Sequence, residues 1–154
     1  MVIVHSTVMS DRMIENINNA GQTLAILLRE SYRDEGIKFF TSDDYTQQLA
    51  YMNRPVGHVI SPHIHNSVPR QVEFTKEVLF IKSGKVRIDF YDNDQNYLES
   101  RILYQGDVIL LAFGGHGFEM LEASEIIEVK QGPYAGEFDK TRFKPVALSQ
   151  IKCK

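Results

Sequence analysis

From Asp34-Glu35-Gly36 onward, no hydrophobic pattern in this chain lasts long enough to make a helix of ordinary length. Short runs rich in Val, Ile, Phe and Tyr are cut at roughly ten-residue spacing by turn chemistry, as at Ser83-Gly84, Asp92-Asn93-Asp94, Gln105-Gly106 and Gly114-Gly115. Strands are predicted over Ile37 to Phe40, Gln47 to Met52, Gly57 to His65, Glu77 to Lys82, Lys85 to Tyr91, Tyr97 to Leu103, Asp107 to Phe113, Phe118 to Leu121 and Glu125 to Gln131. Such a series predicts an all-β sandwich or barrel. Only the start reads differently. Ser10 as N-cap, Met13, Ile14 and Ile17 at helical spacing, and Gly21 as a left-handed stop predict a short helix from about Ser10 to Ala20. Thr23 to Arg29 is a continuous apolar run of ambiguous period, which Gly21 before it tips towards strand.

A chain of 154 residues, 43% apolar, is the size of one domain with a real core. We read residues 1–154 as a single domain, with an N-terminal helix and arm over 1–36, a barrel over 37–143 and a tail over 144–154. The formal net charge of -3 gives no electrostatic reason to expect nucleic acid or an anionic membrane. Cys153 is the only cysteine, so neither a disulfide framework nor a thiolate zinc cluster can form within the chain. The start lacks a basic region, and the longest apolar run, Val108 to Phe113, is too short to span a bilayer. A cytoplasmic protein that binds a small-molecule substrate is the expectation.

Four side chains stand out as potential metal ligands: His63, His65, Glu77 and His116. In an extended strand alternate side chains share a face, so His63 and His65 would present both imidazoles to one side of a sheet. Glu77 opens an apolar strand, and its side chain would share a face with Leu79 and Ile81 while Val78 and Phe80 face the other way. Three imidazoles and one carboxylate suit a divalent Fe, Mn, Ni or Zn ion. In Lys85 to Tyr91 the residues Val86, Ile88 and Phe90 form an apolar face, with Lys85, Arg87 and Asp89 opposite, facing either solvent or a polar lumen.

The pattern Gly57, His63, His65, Glu77, Gly84 resembles the first motif of the cupins, and Gly106 to His116 is similar to their second. The resemblance spans about Gly57 to Leu121. It implies a small jelly-roll β-barrel holding a metal on His63, His65, Glu77 and His116. The chain departs from the pattern in three places: eleven residues separate His65 from Glu77, Ala112 stands at the proline position with His116 one residue early, and Met120 replaces a common asparagine. Asn66 to Lys76 would then be an inserted loop, with Glu73 an alternative carboxylate.

The runs Gly114 to Phe118 and Glu128 to Tyr134 also look like those of small cupins associated with cell-surface polysaccharide synthesis. A metal that binds neighbouring oxygens of a small polar substrate and polarises a carbonyl suits isomerisation or epimerisation of sugars, a reading this resemblance supports, with Tyr51 or Tyr134 as proton donor or a histidine that holds no metal as base. A metal-dependent dioxygenase and a non-catalytic binding module are the alternatives, because fold alone does not decide activity. Strand edges and the leading arm predict a homodimer.

Overall fold

The computed structural model describes residues 13–154. It is an all-β structure of two facing antiparallel sheets and a separate ribbon. In chain order the strands are β1 (Ile14–Asn19), β2 (Gln22–Leu28), β3 (Gly36–Phe39), β4 (Ala50–Asn53), β5 (Glu77–Ser83), β6 (Lys85–Tyr91), β7 (Tyr97–Tyr104), β8 (Val108–Leu111), β9 (Gly115–Met120) and β10 (Glu125–Lys130). One sheet has the order β1-β2-β8-β5-β10, the other β7-β6-β9, and β3-β4 form the ribbon.

The predicted helix over Ser10 to Ala20 is corrected. Ser10 lies outside the described residues, and Ile14–Asn19 is a strand paired antiparallel with β2. The reason sits in the turn, where Ala20 and Gly21 take φ of 48° and 79°. Two successive positive φ values make the tight hairpin connection whose twist matches its flanking strands. A left-handed glycine ends a helix equally well, so Gly21 alone could not distinguish the two. Residues 14–28 are therefore part of the main sheet and not an arm.

Thr23 to Arg29 is ambiguous for a physical reason as well: β2 is buried on both faces. Ala25 and Leu27 pair with Leu111 and Ile109 of β8 and pack into the central core, while Ile26 pairs with Leu110 on the opposite face, against Leu49 and Ala112. A strand covered on both sides has no reason to alternate polar and apolar residues. The central core fills the space between the sheets, with Leu79, Ile81 and Ile109 from one and Val86, Ile88, Phe90 and Leu103 from the other. Each fully buried aliphatic side chain contributes about 1.5–3 kcal/mol.

One lateral side of the sandwich is sealed by charge. Glu15 of β1 accepts from Arg29 Nε at 2.7 Å and from Arg101 Nε of β7 at 2.7 Å, and Arg29 also reaches Asp107 at 2.9 Å and the Ile102 carbonyl at 2.8 Å. The polar face of β6 is likewise closed over. Arg87 binds Asp89 at 2.8 Å and Glu119 at 2.7 Å, and Asp89 accepts from the buried Ser100 hydroxyl. Arg87 and Asp89 thus pair with each other beneath the surface instead of facing solvent or a lumen.

The opposite side is open. β9 and β10 follow each other in the chain, and each is the outermost strand of its sheet. Phe118 and Met120 of β9 stand opposite Ile88 and Val86, on the face turned to the core, yet are 40% and 50% exposed. The two sheets do not close into a barrel. Gly57 to His65, expected as a strand, lies in none: residues 54–76 run without strand or helix and are almost entirely exposed. No helix among the described residues is long and apolar enough to cross a membrane.

Candidate functional site

Glu77 and His116 meet at the end of the open seam. Glu77 is the first residue of β5, standing opposite Leu111 of β8 on one side and Lys130 of β10 on the other. Its strand alternates as expected: Leu79 and Ile81 are buried at 4% and 0%, Phe80 is exposed, and Val78 packs against the second cluster. Glu77 therefore projects between the sheets. His116 lies in β9 directly opposite Phe90, and directly opposed residues share a face, so it projects inward from the other sheet. His116 Nε2 donates to Glu77 Oε2 at 3.1 Å, a contact that spans the two sheets.

The loop before β9 permits this approach. Gly114 has φ of +74°, and a Cβ there would lie 2.6 Å from the Tyr91 carbonyl oxygen. No other residue brings β9 so close to the end of β6 without strain.

Burial alone would push the Glu77 carboxyl up, but the hydrogen bond from His116 outweighs it. Together with the positive charges of His116, Lys130 and Lys140, it holds Glu77 below the usual carboxylate range. Lys130 Nζ lies 3.7 Å from Glu77 Oε1 and 3.1 Å from Glu128. Around the pair opens a cavity of about 480 Å³, with Phe113, Tyr91, Lys140, Arg142 and Phe143 among its walls. Tyr91 is 3% exposed, its ring is 5.0 Å from Phe143, and its hydroxyl oxygen accepts from the Val146 backbone N–H at 3.0 Å.

The other sequence candidates lie elsewhere. His63 and His65 sit on the exposed 54–76 segment, where His63 Nδ1 donates to the Ser61 carbonyl at 2.9 Å and the two rings are 5.3 Å apart. They form a pair, but not on a sheet face. Among the described residues no group of three or more His, Cys, Asp or Glu side chains is placed to hold a metal ion. Of the four expected ligands, Glu77 and His116 lie within hydrogen-bond distance of each other, and His63 and His65 lie away from them. Glu73 is exposed and lies 3.5 Å from Gln71, so Glu77 is the carboxylate beside His116. Tyr51 packs edge-on against Tyr32 at 4.9 Å, and Tyr134 is 75% exposed; neither lines the cavity.

Sequence reasoning missed Tyr91, Lys140 and Arg142 as cavity residues. Tyr91 closes a recognisable strand and could have been found by asking which aromatic faces the Gly114-Gly115 turn. Lys140 and Arg142 come from an irregular segment with no periodicity to read. No family model matches the chain, and no curated protein or solved structure matches it.

Proposed function

We propose that Glu77 and His116 are the fixed half of a divalent-metal site, and that the protein is an enzyme isomerising or epimerising a small, polar, sugar-like substrate. The carrying observation is the inward contact of these two side chains, one from each sheet, at a 480 Å³ cavity. His63 and His65 would complete the set when residues 57–65 add as a strand to the free edge of β9, closing the seam into a jelly roll. Several features favour that closure. The 54–76 segment leaves Val56, Val59, Ile60 and Ile64 exposed, and β9 leaves Phe118 and Met120 half uncovered, so closure would bury apolar surface on both partners. Strand alternation would turn Val59, Ser61, His63 and His65 to one face. The eleven residues from Asn66 to Lys76 can span up to about 36 Å, ample to reach Glu77.

A metal bound there would polarise a substrate carbonyl and so ease proton movement at the adjacent carbon. The chain supplies the rest. Glu77 is held ionised by His116 and Lys130, Phe113 and Phe143 give the cavity apolar walls, and Tyr91, opposite Gly115 and so on the face of β9 away from His116, supports the cavity wall without replacing Tyr51 or Tyr134 as proton donor.

The test follows solvent deuterium into the carbon adjacent to the carbonyl for a panel of aldoses and ketoses, with protein reconstituted in turn with Mn, Fe, Ni and Zn. Exchange by the wild type, reduced about a hundredfold or more in His116→Ala and Glu77→Gln, is the expected result. Absence of exchange with every metal sinks the isomerase reading; oxygen consumption with iron would replace it by the oxidative one, and saturable sugar binding without turnover by a binding module.

A further inference from the structure

The charged side chains lining the cavity are Glu77, Asp139, Lys140 and Arg142. The acids are already engaged. Glu77 accepts from His116 and faces Lys130, and Asp139 accepts from the Thr75 hydroxyl at 3.4 Å. The cations are held less firmly. Lys140 forms no ion pair within 4 Å among the described residues, and Arg142 pairs with Glu137 at 3.1 Å where the two side chains are 70% and 84% exposed. Pairs as exposed as that contribute about 0–1 kcal/mol, so a ligand anion would exchange with Glu137 at little cost. Thr141 and Asn93 add a hydroxyl and an amide to the same lining.

We propose that the 139–145 wall is an anion subsite, and that the substrate carries a phosphate or carboxylate group bound by Lys140 and Arg142. This rests on the cavity being the substrate site and narrows the substrate from a polar sugar-like molecule to an anionic one. A guanidinium presents two parallel donors to such a group and an ammonium adds a mobile point charge. The anion binds on the wall, and the reacting carbon of the same molecule lies towards Glu77 and His116. The volume, about 480 Å³, is within the roughly 300–1,000 Å³ of small-ligand pockets.

Calorimetric titration of the metal-free full chain with inorganic phosphate, and separately with malonate, tests this. Wild type is expected to bind at least one probe saturably, and Lys140→Met and Arg142→Met each to weaken it by about tenfold or more, a loss of about 1.4 kcal/mol. Lys144→Met, an exposed neighbour outside the lining, should leave it unchanged. Tighter phosphate binding identifies a phosphorylated ligand, and tighter malonate binding a carboxylate. Equal binding by wild type and the Lys140→Met/Arg142→Met double variant, or no saturable binding of either probe, overturns the subsite. Metal content and deuterium exchange measured in parallel keep the two readings apart. Anion binding without metal uptake removes the enzyme reading alone, and metal uptake with exchange but no anion binding removes the subsite alone.

Discussion

Glu77 interrupts an apolar row, and a buried carboxylate is costly unless it is partnered. Its folded-state titration lies below the ordinary value, so it contributes stability above the unfolded carboxylate pKa of about 4.3, and that contribution is lost as pH falls through the lower folded value. Glu77→Gln is therefore expected to cost about 1–2 kcal/mol near pH 7, with the cost shrinking as pH falls below the ordinary carboxylate range. Melting curves of both proteins from pH 3 to 8 check this; a gap that widens in acid would refute the assignment. Asp89 faces a harsher test. Asp89→Asn strips one of two carboxylates from the buried Arg87, leaving only Glu119, and about 3 kcal/mol is the expected loss by urea denaturation. Lys82→Ala, which breaks an exposed pair with Glu125, should stay within about 0.5 kcal/mol.

Among the elements, the 57–65 segment carries the sharpest prediction. If it adds to β9 on metal binding, its amides gain strand hydrogen bonds, so hydrogen exchange of residues 57–65 should slow by about tenfold or more when Mn, Ni or Zn is added, and should not slow in His116→Ala. Equal exchange with and without metal would leave those residues outside the sheet. The uneven legibility of the elements has one cause. β5 and β6 could be read because apolar alternation and turn residues agree along them, β7, β8 and β10 because their apolar residues end at turn residues, and Glu77 was visible as the one charge in an apolar row. β1 was misread because Met13, Ile14 and Ile17 fit a helical face and Gly21 serves a hairpin turn as readily as a helix end. Gly57 to His65 alternates like a strand, but a strand also needs an edge to bind, and sequence periodicity carries no information on whether that edge is taken. Lys140 and Arg142 lie where tertiary packing alone decides which side chains meet.

For the molecule as a whole, the two lateral sides of the sandwich are held by different means. The open seam depends on what fills it, while the β7 side is held by ion pairs and by the C-terminal residues. Lys152 donates its backbone N–H to the Tyr97 hydroxyl at 2.7 Å, Ser100 and Lys152 share a backbone bond at 2.9 Å, Cys153 bridges Ser100 in parallel, and Lys154 pairs with Glu99. Further back, Val146 caps Tyr91 at the cavity wall. The tail therefore joins the free edge of β7 to the candidate site, and it belongs to the fold. Removing residues 146–154 deletes these bonds and uncovers Ser100, which is 0% exposed. Lost bonds of about 1 kcal/mol each sum to about 3–4 kcal/mol, and at about 2–4 °C per kcal/mol for a chain of this size the melting temperature should fall by about 6–16 °C. Lys154→Ala, which removes only the exposed end of the Glu99 pair, should shift it by about 2 °C or less. A truncated chain that melts with the wild type would show that the tail merely lies on the surface, and that Tyr91 is positioned without it.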